Sequence, residues 1–162
     1  MVVESIQQIL KNREFVNIAT CDFGGRPNAA AKFLLKLEGH VFFIIDHSFG
    51  RTLNNIKINP RASLSFVNLS TLTGYQVNGA VEILHEGEEH KKIDDELKRK
   101  QVSLSASRII EGMSKGRSSK KNKKSYEVEM PEKFSVLKVH ADEIVEVGPS
   151  GRIKRYDPKE VL

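Results

Sequence analysis

Residues 28–37, NAAAKFLLKL, repeat with a period of two, and no other stretch limits the fold so strongly. Successive side chains of an extended chain point to opposite faces. Ala29, Ala31, Phe33, Leu35 and Leu37 therefore share one face, and Asn28, Ala30, Lys32, Leu34 and Lys36 share the other. The first face reads as core; the second carries two amines. Similar stretches surround it. EFVNIATC precedes it across the turn DFGGRP, whose glycines are free to take positive φ and whose proline fixes the exit. VFFIID, apolar on both faces, requires cover on both sides. RASLSFVNL sets Ala62, Leu64 and Phe66 in phase. TGYQVNGAVEIL alternates Tyr75, Val77, Val81 and Ile83 with Gln76, Asn78, Ala80 and Glu82. FSVLKVHADEIVEV resumes the sheet, and GPSGR turns the chain before IKRYDP. Strands of this kind joined by short turns predict a mainly β fold, an antiparallel barrel or strongly bent sheet.

Helices flank the strands. Val3, Ile6 and Leu10, with Val2 and Ile9 beside them, predict an opening amphipathic helix, and a short helix follows SFGRT until Pro60 stops it. From residue 86 the chain changes character. EGEEHKKIDDELKRKQ and SLSASRIIEGM predict two helices, which with a basic loop form an insertion over about residues 86–124. There is no internal repeat and no long linker, so residues 1–162 read as a single domain.

The net charge of +5 suggests a nucleic-acid partner until its position is considered. Lys115, Arg117, Lys120, Lys121, Lys123 and Lys124 all fall within KGRSSKKNKK, and outside that run acidic and basic side chains nearly balance. A short Ser/Gly/Lys run reads first as a solvated loop. Polyanion binding by residues 115–124 stays open as an alternative. No apolar run is long enough to cross a membrane, and the N-terminal MVVESIQQILKN lacks the positive charge of a secretory signal, so we expect a cytoplasmic protein. Cys21 is the one cysteine and reads as a small residue in or near the core.

The segment SFGRTLNNIKINPR is the strongest site candidate. A helix N-terminus offers unpaired N–H groups and the positive end of the peptide dipoles, so Gly50, Arg51 and Thr52 could supply backbone donors, a guanidinium and a hydroxyl to an anion. Equally, Ser48 could be an ordinary N-cap and Arg51 a solvated side chain. Lys32 and Lys36 are surface charges if their face is wet; if a partner covers it, they need an anion or a carboxylate. His85 and His90 in HEGEEH are five apart, which does not align two imidazoles on a helix, so we expect no metal. There is no nucleophile elbow, Walker loop or dinucleotide fingerprint.

Taken together, the opening helix, the hairpin with Ala19, Thr20, Asp22, Gly25 and Pro27, and the run from Arg51 to Arg61 resemble the flavin-mononucleotide-binding split barrels of the pyridoxamine 5′-phosphate oxidase-like superfamily. The resemblance is close over about residues 1–85. It implies a Greek-key-like split β-barrel that dimerises, with flavin mononucleotide (FMN) in a groove between subunits. It further implies Gly50, Arg51 and Thr52 at the phosphate, and Ala31, Lys32, Phe33 and Leu34 along the isoalloxazine ring. Ile45 and Asp46 supply further contacts, and Tyr75 and Gln76 come from the partner subunit. On this resemblance the chain is an FMN-dependent oxidoreductase acting on a small molecule, with Lys32 near the pyrimidine edge raising the flavin potential. A non-catalytic flavin or electron carrier is the alternative, and a deazaflavin or haem could occupy the same groove. The chain also departs from the family pattern. The true oxidases have arginine where Ala31 stands and an Arg/His substrate segment where this chain ends GRIKRYDPKEVL, which argues against pyridoxamine phosphate as substrate. Asp46 replaces a hydroxyl residue, and its charge opposes a phosphate unless it faces away.

Overall fold

A computed structural model describes residues 2–11, 14–114, 129 and 131–162. The basic run at 115–124 lies outside the described residues. The elements are α1 (Val2–Lys11), β1 (Phe15–Cys21), β2 (Pro27–Glu38), β3 (Val41–Asp46), α2 (Arg51–Ile58), β4 (Arg61–Asn68) and β5 (Thr73–Leu84). Then follow α3 (Glu88–Ser114), β6 (Ser135–Val147), β7 (Ile153–Tyr156) and α4 (Pro158–Val161). They form two compact units, one of Met1–Leu84 with Phe134–Leu162 and one of His85–Lys133.

In the first unit the strands follow the order β3-β2-β1-β4-β5-β6-β7, all paired antiparallel, and β3 also pairs with β6. That extra pairing closes six strands into a barrel. β6 makes this possible by changing neighbours: its first half pairs with β3 and its second half with β7, while β5 follows its whole length. The change falls at a bulge between Asn78 and Gly79. Here the backbones approach so closely that a Cβ on Gly79 would lie 2.2 Å from the His140 carbonyl oxygen. Only glycine fits this corner.

Inside the barrel Ile18, Phe42, Ile44, Leu64, Val77, Val139 and Ile144 form the core, and Ile6 and Leu10 of α1 join it. The alternation in β4 and β5 is as expected: Ala62, Leu64, Phe66, Tyr75, Val77 and Val81 are all buried. β3 is buried on both faces, with Phe43 turned outward beneath the amines of Lys36 and Lys138, at 4.8 and 5.8 Å from the ring centre.

β2 corrects the expected faces. Leu34 belongs to the core and Lys32 is buried on the same side, whereas Ala29 and Ala31 are exposed. A bulge between Leu34 and Lys36 adds one residue, after which Leu37 packs inward and Lys36 points out over Phe43. The period of two is therefore broken partway along the strand, and the two amines lie on opposite sides of it.

The second unit contains one continuous helix of 27 residues where two were expected. No proline or glycine stands between Glu88 and Ile110 to break it. Ser107, a weak helix former, donates its hydroxyl to the Ser103 carbonyl at 3.0 Å. No helix among the described residues is long and apolar enough to cross a membrane.

Candidate functional site

The buried polar side chains among the described residues are Thr20, Lys32, Asp46, Thr52, Asn55 and Ser135. They gather where α2 meets the ends of the strands. Asn28 donates to Thr52 Oγ1 at 3.0 Å, Asn55 donates to Thr20 Oγ1 at 3.1 Å, and Asn59 donates to Cys21 Sγ at 3.2 Å. These bonds, with Leu53 and Ile56 in the core, fix α2 against β1 and β2. Thr52 thus helps to dock the helix as an acceptor, a bond that leaves its hydroxyl proton uncommitted.

Just before α2 lies a buried charge pair. Lys32 Nζ donates to Asp46 Oδ1 at 2.6 Å and to Ser48 Oγ at 2.6 Å. Ser48 in turn donates to Asp46 Oδ1 from its hydroxyl at 2.9 Å and from its backbone N–H at 3.1 Å. Asp46 is fully buried and Lys32 is 6% exposed. Burying two charges is costly unless each finds a partner and further hydrogen bonds, and Oδ1 receives three. Burial alone would raise the Asp46 pKa. The hydrogen bonds from Lys32 and Ser48, with the Lys32 charge, outweigh it and hold the carboxyl below the usual carboxylate range. Its other oxygen, Oδ2, is buried and accepts nothing from the protein.

The head of α2 is left open. Its N-cap is Gly50, with no side-chain cap, and the first intrahelical bond runs from Asn54 N–H to the Gly50 carbonyl at 3.1 Å. The amides of the first turn before Asn54 have no intrahelical acceptor. No acidic residue occupies this turn, and Arg51 is exposed on it. Ser48 is not the cap: Gly50 holds that position, and the Ser48 hydroxyl is engaged by Lys32 and Asp46. Phe49, between them, adopts φ +48°, a left-handed conformation uncommon for a bulky residue. An open helix N-terminus beside an exposed guanidinium suits an anion. Asp46 does not oppose one, since Lys32 offsets its charge.

The other proposed site residues fall into two groups. Lys32, Leu34 and Tyr75 turn inward; Leu34 is core, and Tyr75 stacks on Phe66 with ring centres 5.6 Å apart. Ile45 is 1% exposed. Ala31 and Gln76 are exposed on the outside, joined by a register row that runs Ala31, Asn17, Ser65, Gln76 across β2, β1, β4 and β5. A second row runs Ala29, Ala19, Ser63, Asn78. None of these eight residues is charged. Phe33 borders this face, meeting Phe15 edge-on at 5.8 Å. A shallow groove of about 440 Å³ crosses the face between Phe15, Asn17, Ser65, Val67 and Gln76.

Sequence reasoning missed Asn28, Asn17 and Ser65, and weighed Ser48 only as a cap. Asn28 alone left a signal, as a polar residue on the face of β2 that proves to be internal. Among the described residues no group of three or more His, Cys, Asp or Glu side chains could hold a metal ion.

Comparison with known proteins agrees with this geometry. A curated relative, an uncharacterized protein of Methanocaldococcus jannaschii, is 35% identical over 101 residues, which span 59% of this chain and 66% of that protein. Among solved structures, a Clostridium acetobutylicum protein related to general stress protein 26, of the pyridoxinephosphate oxidase family, superposes with TM-score 0.64 at 17% identity, covering 99% of this chain and 96% of that one. A pyridoxamine 5′-phosphate oxidase-related, FMN-binding protein of Nostoc punctiforme gives 0.55 at 12% identity, covering 96% and 93%. A heme-binding protein of Mycobacterium smegmatis gives 0.64 at 19%, covering 98% of this chain and 59% of its own. The sequence model of the pyridoxamine 5′-phosphate oxidase family matches residues 2–148, and with a closed antiparallel six-stranded barrel behind that match, the chain belongs to this family.

Proposed function

We propose that the protein binds FMN, with the phosphate at the head of α2, and serves as a flavin-dependent oxidoreductase on a small molecule. The observation that carries this reading is the uncapped N-terminus of α2, where Gly50 and the exposed Arg51 stand beside an aspartate whose charge is already neutralised. FMN, when bound, supplies two-electron chemistry at N5. The chain's own residues supply the rest: backbone N–H groups and the Arg51 guanidinium hold the phosphate, and α2 keeps its place through Asn28 and Asn55.

The two uncharged rows on the outside of β2, β1, β4 and β5 are suited to meet their counterparts in a second copy. An interface core is poor in charge, and in such a homodimer Ala31 and Phe33 of one protomer and Gln76 of its partner would border the ring. Lys32 takes a different part from the one expected. Being turned inward and paired, it offers no free charge to the pyrimidine edge. Of the alternative ligands in this groove, a deazaflavin with a phosphate group uses the same cradle, whereas haem does not require it.

The test is an absorption spectrum of the purified protein before and after FMN addition and gel filtration, with Arg51→Ala alongside. Retained flavin near one per chain, lost in the variant, is the expected result. A haem spectrum, or no uptake of flavin, overturns the reading.

A further inference from the structure

We infer that Lys32, Asp46 and Ser48 form a latch that holds the anion cradle open, making Asp46 and Lys32 positioning residues for the phosphate. This inference rests on the FMN reading above.

The Ser48 hydroxyl joins the buried pair to the helix. It lies next to the head of α2; a Cβ placed on Gly50 would be 3.7 Å from it. A serine hydroxyl that reaches a helix N-terminus can accept a hydrogen bond from a first-turn amide, and Ser48 stands two residues before the Gly50 N-cap. Here the hydroxyl is committed elsewhere: Lys32 Nζ donates to its oxygen and it donates to Asp46 Oδ1. The buried pair thus keeps a nearby hydroxyl from the amides, which remain available to a ligand.

The same pair also fixes the backbone. Asp46 Oδ1 receives the Ser48 N–H, so the chain is held from both the main chain and the side chain one residue before Phe49. Phe49 then takes φ +48°. A bulky residue stays in that region only where its surroundings over-determine it. The latch is that constraint, and through Phe49 it sets the direction in which Gly50, Arg51 and Thr52 leave the strand. Neither lysine nor aspartate touches the anion; both act through the 47–50 turn. Without the latch Phe49 relaxes, Ser48 is released to cap α2, and the cradle closes.

Relative affinities for FMN and riboflavin isolate the phosphate end, since the two ligands differ only there. Titration by flavin fluorescence is run on wild type, Asp46→Asn, and the double variant Lys32→Met with Asp46→Leu. The double variant removes both buried charges together and so keeps the fold even where a single change does not. We expect wild type to prefer FMN, and either variant to lose about tenfold of that preference while its riboflavin affinity holds. Adding Phe49→Gly to a latch variant restores part of the preference, because glycine takes positive φ without strain; Phe49→Gly alone is the control. A folded latch variant that retains the wild-type preference, or no recovery from glycine at 49, overturns the latch and leaves the FMN reading standing. Wild type showing no preference for FMN overturns the FMN reading and the latch with it.

Discussion

Lys32 and Lys36 stand four residues apart on one strand and live in opposite surroundings. The first is buried inside the barrel against Asp46 at 2.6 Å; the second lies outside, 4.8 Å above the Phe43 ring and 3.2 Å from Glu38. One bulge between Leu34 and Lys36 separates them. A lysine can therefore be either an internal structural element or an outer cover over an aromatic ring of the neighbouring strand, and the difference is decided by local register rather than by residue type. Energetically the two should behave as differently as their surroundings.

The largest effect should come from breaking the inner pair. Lys32→Met leaves the Asp46 carboxylate buried without its counter-charge, a loss of about 3–5 kcal/mol in urea unfolding. The Asp46 carboxyl also titrates below its ordinary value in the folded protein, so its contribution is complete above the unfolded-state pKa and is lost as pH falls through the folded one. Wild type should lose melting temperature from about pH 5 downward more steeply than the Lys32→Met, Asp46→Leu double variant, which has no such group. Equal slopes would show that Asp46 is not held ionised by Lys32.

Next comes the corner that separates the two ends of the barrel. Gly79→Ala must displace the His140 carbonyl, 2.2 Å from the new Cβ, at a cost of about 1–3 kcal/mol. Gly74 supplies the contrast on the same strand: its added Cβ meets only the Val147 carbonyl at 3.9 Å. If Gly79→Ala and Gly74→Ala unfold at the same urea concentration, β5 and β6 do not approach as closely as the barrel requires.

How much of this could be read in the sequence follows from the same contrast. β4 and β5 were legible because Ala62, Leu64, Phe66, Val77 and Val81 alternate without interruption and one face is strongly apolar. β2 was legible as a strand but not as an orientation. Ala29 and Ala31 carry almost no preference for either face, so Phe33 and Leu35 decided the reading; both are buried, but it is Leu34 that joins the core, and the bulge beyond it brings Leu37 back inward. α3 was read as two helices although nothing in its residues breaks it. At the site, the Gly50–Arg51–Thr52 run was found by its place at a helix start. Lys32 and Asp46 were each noted, but their meeting depends on pairing between β2 and β3 across 14 residues. No periodicity reports such a contact.

The outer face can be tested by giving it the charge that the inner one contains. Ser65→Lys puts an ammonium in the middle of the row Ala31, Asn17, Ser65, Gln76. In the proposed homodimer symmetry brings two such charges to one uncharged row, and we expect dimerisation weakened at least tenfold, about 1.4 kcal/mol, in sedimentation equilibrium. Melting of the isolated barrel should change little. An unaltered dimer would move the interface away from this face.

The smallest effect is the one that completes the comparison. Lys36→Met removes an exposed pair with Glu38 and a cation over Phe43, while its aliphatic portion, which covers the ring, is largely preserved. Surface pairs contribute about 0–1 kcal/mol and are weakened by salt. Lys36→Met should therefore unfold within about 1 kcal/mol of wild type, with the gap narrowing as salt is raised. Lys32→Met should keep its deficit at high salt, because the buried pair is screened far less. The salt series separates the two lysines even if their effects in dilute buffer overlap: a deficit at Lys32 that salt abolishes would mean that solvent reaches the pair, and the barrel mouth would then be open rather than closed around Asp46.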